Sequence, residues 1–404
     1  MRHARIFANV RPQLLQWARE TAGYPVAAAA KKLKMKTEKL TAVESGTDAI
    51  SIPKLRDAAK LYHRPLAAFF LPAPPPVPPP VHDFRIMSSD EEGDARLCPA
   101  LQFELRRARR RRTVALNLMN ELELPVTQFT LQASVSESPE AVAGRARDWL
   151  HISVAEQRAW REDYAALHGW IGAIERRGTL VFQSARVPLS VMRGFSIPES
   201  VLPVIVLNGK DRPRARVFSA MHELVHLMLR EGGICDPMRA DARKTQDSVV
   251  ETFCNRVAGA ILVPSAPFMA ELALSSDQAA WDDEMIRALA DAFVVSREVI
   301  VLRLRSIGRA SDQFVSDKLD QYQKEYIERA ISEKEKNRES GKKIVVPVDR
   351  TAVRNNGRRY TSLVLDALER ERITFADAAE YLGVRVKHFE RISDIVRGAF
   401  DEAV

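Results

Sequence analysis

The sequence predicts a multidomain, mainly α chain with a small β-sheet, an α+β architecture. Three observations carry this. Apolar residues recur at helical spacing along most of the 404 residues. Strand-like apolar runs are confined to one stretch, 179–208. A proline run from Pro72 to Pro80 sets the first seventy or so residues apart. Length suggests roughly two to four domains, and 46% hydrophobic with 28% charged residues is ordinary for a folded chain.

The first segment reads as short helices. Leu14, Leu15, Ala18 and Ala22 share one face, and Gly23 ends that helix. A second helix runs from Val26 to Leu33 after Pro25. Thr37 is placed to cap a third, with Glu38 in its first turn, and Gly46 stops it. Pro53 opens a fourth, with Leu55, Ala58, Ala59 and Tyr62 along one face. Residues 1–70 hold 13 Lys and Arg against 5 Asp and Glu, so the whole net charge of +8 sits here. A local basic excess is the footprint of a polyanion partner; a solvated lysine-rich surface gives the same count.

Beyond the prolines, a stiff spacer or docking strap, a long helix spans Leu97 to Leu124. It carries the arginine run 106–112, a candidate nucleic-acid surface or a solvated helix face. Helices at 139–149 and 154–177 precede strands at Thr179–Gln183, Gly194–Ile197 and Pro203–Asn208. Two strong helices cover 215–230 and 248–262, the second stopped by Pro264. Residues 283–305 read as helix, Asp317–Lys343 as a solvated helix or linker, and 357–400 as a last helical module. A faint echo links Ala29 to Met35 with Ala378 to Val384; both read as a helix meeting a tight turn.

The chemistry concentrates at Met221-His222-Glu223-Leu224-Val225-His226-Leu227. Two histidines four apart on a helix share a face and can reach one Zn²⁺. Glu223, beside the first, can take a proton from water and pass it to a leaving amine. The plain alternative is a buried helix with two satisfied histidines. A catalytic zinc needs a third protein ligand and one open position. Glu251, 25 residues after His226 at the start of the next helix, is the candidate. It also suits a helix N-terminus electrostatically. Asn255 lies one turn on and can orient the site from behind. Cys254 and Cys235 are read as structural, because a thiolate ligand would close the open position. His82, His151, His168 and His388 have no partner at ligand spacing.

These residues resemble the ImmA/IrrE metallopeptidase family. The resemblance rests on Arg216 through His226, on Gly233-Ile-Cys-Asp236, on Glu251-Thr-Phe-Cys-Asn255 and on Leu262-Val-Pro264, with Pro203 to Asn208 upstream. It covers about residues 85–310. It implies a zincin-like core, His222, His226 and Glu251 as ligands, and Glu223 as base. Family members cleave helix-turn-helix repressors, and single-stranded DNA activates some. Ser219-Ala-Met221 departs from the family's usual Thr-Leu-aromatic segment. Residues 11–70 resemble the Xre-type helix-turn-helix family, which implies double-stranded DNA as a partner. Lys36 to Ser45 is then the recognition helix, with Leu40 and Val43 inward and Lys36, Thr37, Lys39, Thr41 and Ser45 toward DNA. Lys34 stands where that family usually has a turn glycine.

The expected division is 1–71 helix-turn-helix, 72–82 proline-rich linker, 83–310 zinc peptidase, 311–344 charged helix or linker and 345–404 helical module. The expected function is a zinc endopeptidase and transcriptional regulator whose substrate is a co-encoded repressor. The rival is a DNA-binding regulator or antitoxin whose peptidase-like domain senses a ligand or holds a partner toxin without turnover. An inactive scaffold has no need of Glu223, yet this chain keeps it. Dimerisation, as in a homodimer, partner capture and signal sensing all suit the last module. No apolar run reaches the roughly 18 residues of a membrane span, and none follows the N-terminal arginines as a signal peptide requires. Three scattered cysteines form no disulfide framework, so the expected compartment is the cytoplasm.

Overall fold

The computed structural model describes residues 7–76, 98–229, 240–274, 281–340 and 346–401. Most of them are helical, with one small mixed sheet, as the sequence predicts. The proline strap beyond residue 76, His82, the segment around Cys235 and residues 341–344 of the charged region lie outside the described residues. Contacts divide the chain into two units, Met1–Arg110 with Arg186–Met192, and Arg111–Ala185 with Arg193–Val404. The five-part division read from sequence stands beside this as a proposal.

The first unit holds α1 (Pro12–Thr21), α2 (Val26–Lys32), α3 (Thr37–Ser45), α4 (Ile52–Leu61) and a 3-10 turn, Leu66–Phe70. The apolar faces read from spacing meet in one core: Leu15, Ala18, Ala29, Leu40, Leu55 and Tyr62 are buried together. Arg19 and Glu44 tie α1 to α3 inside it, with Nε at 2.8 and 3.0 Å from the two carboxylate oxygens. Thr37 does not cap α3. Lys36 is the cap residue and Thr37 the first helical position. Lys34 adopts φ +53, the left-handed conformation its turn demands. Here the echo acquires a meaning. Met35 N donates to Ala30 O at 2.9 Å, and Val384 N donates to Ala379 O at 3.2 Å across the same turn, where Gly383 has φ +67.

The long α5 (Pro99–Glu121) starts in the first unit and finishes in the second. The second unit continues with α6 (Pro139–Leu150), α7 (Val154–Ala159) and α8 (Asp163–Arg176). The sequence expects one helix over 154–177. The structure breaks it because Arg161 turns left-handed, φ +49, after Trp160. Next come β1 (Leu180–Ser184), β2 (Gly194–Ile197) and β3 (Val204–Asn208). The order is β1-β3-β2, with β3 parallel to β1 and antiparallel to β2. Every residue of the three strands is buried, the polar Gln183, Ser184, Ser196 and Asn208 included, which is why apolar residues do not alternate with exposed polar ones along them.

On this sheet lies α9 (Pro213–Met228), started by Pro213 and buried from Arg216 to Met228. It packs against β2, β3, α8 and α10 (Ala240–Leu262). Helix α10 starts earlier than the sequence reading, because 240–247 holds no glycine or proline to stop it. Its far end is tied by side chains. Arg147 donates to Ile261 O at 2.7 Å, Gln157 to Leu262 O at 2.8 Å and Arg303 to Val263 O at 2.7 Å. Side-chain donors, two of the three cationic, suit the orphan carbonyls of a helix end.

Helices α11 (Ser265–Leu274), α12 (Asp283–Ala292), α13 (Arg297–Ser306) and α14 (Asp312–Ser340) follow. The expected helix over 283–305 is two, because Val294 sits at φ +51. The charged stretch is a helix, tied down where Arg297 meets Glu325 at 2.6 Å. The last helices are α15 (Val348–Asn356), α16 (Arg358–Glu369), α17 (Phe375–Leu382) and α18 (Phe389–Asp401). Helices α15 and α16 pack on β1, and α16 also on α8, while α17 packs on α16 and α18 on both. Tyr360 meets Phe182 edge-on at 5.7 Å. Gly357, φ +75, admits this approach, since a Cβ there would fall 2.4 Å from Val181 O. The Glu175 carboxylate receives the backbone N–H of Arg359 at the start of α16, and burial pushes its pKa up to about 7. No single helix among the described residues is long and apolar enough to cross a membrane.

Candidate metal centre

The i, i+4 spacing on α9 puts both imidazoles on the face that meets α10. Nε2 of His222 and Nε2 of His226 lie 3.0 Å apart. The Glu251 carboxylate closes the group, with Oε2 at 3.3 Å from His222 Nε2 and Oε1 at 3.2 Å from His226 Nε2. Among the described residues these three form the one cluster of nitrogen and carboxylate donors able to hold a metal ion. Both rings are buried, while Glu251 is half-exposed and opens the group to one side. Burial alone would raise the Glu251 carboxyl. Hydrogen bonds with His222 and His226, and their charge, outweigh it and hold the group far below the ordinary carboxylate range.

The outer atoms are also placed. His222 Nδ1 is 3.1 Å from Asn255 Oδ1. An amide oxygen accepts, so Nδ1 carries a proton, and Nε2 is the nitrogen that would give up its own proton, and its hydrogen bond to Glu251, on taking an ion. Cys254 Sγ is 3.6 Å from His226 Nδ1. The sequence reading treats Cys254 as structural. Nothing local in the sequence signals this contact, because it crosses between two helices.

Glu223 is almost wholly buried, next to His222 and against β2. A Cβ on Gly194 would come within 3.2 Å of both Cγ and Oε1 of Glu223, so the strand clears room for that side chain. One expectation is corrected. Position just before α9 in the sequence suggests that an extended substrate would lie beside the 203–208 strand. Among the described residues, 204–208 form the central strand, paired on both sides, and β2, which meets Glu223 at Gly194, is an outer strand of the sheet.

The N-terminal candidates are elsewhere. Lys36, Thr37, Lys39, Thr41 and Ser45 are all exposed on α3 or at its start, while Leu40 and Val43 point into the core. Lys39 faces Asp48 at 3.5 Å, and the Thr41 hydroxyl returns to Thr37 O. The arginine run 106–112 is not an open basic surface. Arg106 donates to Tyr62 O, Arg111 is buried and donates to Asn355 O, and Arg112 donates to Val201 O and Leu202 O. Of the run, only Arg110 is exposed. His151 and His168 are exposed, and neither joins a donor cluster.

Residues 174–305 match the model of the IrrE N-terminal-like domain, peptidase family M78. That span contains α9, α10 and the sheet. No curated protein matches the chain. A solved Mycobacterium tuberculosis transcriptional regulator is similar over 42% of this chain, at 17% identity and a TM-score of 0.26. The chain spans about half of that protein's length, 52%.

Proposed function

We propose that this chain is a zinc-dependent endopeptidase that regulates transcription by cleaving a partner helix-turn-helix repressor. The observation that carries the reading is the convergence of His222 Nε2, His226 Nε2 and the Glu251 carboxylate within 3.3 Å. Two neutral imidazoles and a carboxylate, open on one side, are the donor chemistry of a catalytic zinc. Bound there, Zn²⁺ would polarise a peptide carbonyl and acidify an attacking water.

The chain's own residues supply the rest. Glu223 is the base: its carboxylate takes the proton of the attacking water and returns it to the departing amine. Its burial excludes competing solvent. Asn255 holds the tautomer of His222. The outer edge of β2 offers backbone groups for an extended substrate segment, and main-chain pairing fixes a peptide without demanding one sequence. Gly194 on that strand keeps the approach to Glu223 clear.

The exposed α3 residues Lys36, Thr37, Lys39, Thr41 and Ser45 are the proposed contact with double-stranded DNA. The charge of the first seventy residues supports this, since phosphate neutralisation dominates affinity. Tethering a peptidase to DNA raises its effective concentration near a bound repressor. The proposed compartment is the cytoplasm, where such a repressor works.

The test is direct. Purified full-length protein should hold about one zinc per chain and cleave a helix-turn-helix protein encoded beside it, with or without single-stranded DNA. Less than a tenth of a zinc per chain, or cleavage unchanged by Glu223→Gln, would overturn the reading.

A further inference from the structure

We infer that Cys254 is a positioning residue of the metal centre, its sulfur orienting His226 as Asn255 orients His222. The inference rests on the zinc reading above and adds to it. For His226 to offer Nε2 to an ion, its proton must sit on Nδ1. The group facing Nδ1 is Cys254 Sγ, at 3.6 Å and fully buried. Water cannot take its place there.

The sulfur faces the ring nitrogen opposite the donor cluster. It stands outside the group formed by His222, His226 and Glu251, so it does not complete the coordination shell. Consecutive residues of α10 thus serve the two histidines of α9, Cys254 behind one ring and Asn255 behind the other, with Glu251 one turn earlier. A thiol is a weaker acceptor than an amide oxygen. The two rings are therefore held unequally, and His226 donates less electron density to an ion.

The experiment compares full-length wild type, Cys254→Val and Cys254→Ser by zinc competition against a chromophoric chelator. Val keeps the apolar character with one branch more and accepts no hydrogen bond; Ser is close in shape and keeps an acceptor. A positioning role predicts that Val weakens zinc affinity about tenfold or more, while Ser stays closer to wild type. A purely packing role predicts the opposite order, because a hydroxyl is poorly placed in an apolar site. The melting temperature of each metal-free variant, with Val at least as stable as Ser, shows that any loss is not misfolding. Should Val fail to fold, Cys254→Ala takes its place. Val or Ala binding zinc as tightly as wild type overturns the inference and leaves the zinc reading standing. Wild type that takes up no zinc overturns both.

Discussion

The α9–α10 centre and the outer face of α3 hold polar residues under opposite conditions. In the centre, His222, Glu223 and His226 are almost wholly buried, and each ring contacts groups at both nitrogens. On α3, Lys36, Thr37, Lys39, Thr41 and Ser45 stand in solvent. Burial of a polar group is costly unless every atom is satisfied, so a buried cluster dictates its own geometry. An exposed side chain can trade its neighbour contacts, such as Lys39 with Asp48, for water, so its geometry says little about its role. The difference teaches that a role is legible in coordinates in proportion to how much desolvation the role requires.

Four measurements press on that contrast. The largest effect is expected inside. Glu223→Gln should lower turnover by about 10²–10⁴-fold while zinc uptake by equilibrium dialysis stays unchanged. Loss of zinc with the variant would mean that Glu223 holds the site together instead of moving a proton. Second, Gly357→Ala should destabilise the second unit by about 3 kcal/mol, from strain at positive φ and the overlap with Val181 O. Thermal unfolding checks this; an unchanged midpoint would show that α16 does not depend on close approach to β1.

Third, Glu175 should make stability depend on pH. Its folded pKa is about 7, above the ordinary 4.5, because it is buried. The folded chain therefore binds more protons than the unfolded one across that window. Stability is full below it and falls as pH rises through 7, by up to about 3 kcal/mol. Glu175→Gln should flatten the profile. The smallest effect is expected outside. Lys36→Glu with Lys39→Glu should weaken operator binding about tenfold or more at low salt and reduce the salt slope by about two. Stability should move by less than about 0.5 kcal/mol. A large loss of stability would make α3 a structural surface.

The sequence exposes what depends on spacing within one helix. His222 and His226 share a face by periodicity, and Glu251 and Asn255 do so by the same rule. It hides what depends on a partner elsewhere. Cys254 meets His226 across a helix pair. The arginine run 106–112 looks like a surface until its carbonyl acceptors, some ninety and more than two hundred residues away, are seen. Strand order is also non-local, so the edge beside Glu223 is β2, where sequence proximity points to 203–208. The breaks at Arg161 and Val294 carry no glycine to announce them. Tertiary packing holds both in a conformation their residue types disfavour.

The side chains gripping Ile261, Leu262 and Val263 fix one end of α10, which also packs along α6 and α9. Its fixed end lies eleven residues beyond Glu251, roughly 16 Å at 1.5 Å per residue. A pivot of about 3° at the clamp then swings the carboxylate by nearly 1 Å, on the order of what separates a bound ligand from a lost one. Loosening Arg147, Gln157 or Arg303 would thereby disturb the donor cluster from a distance.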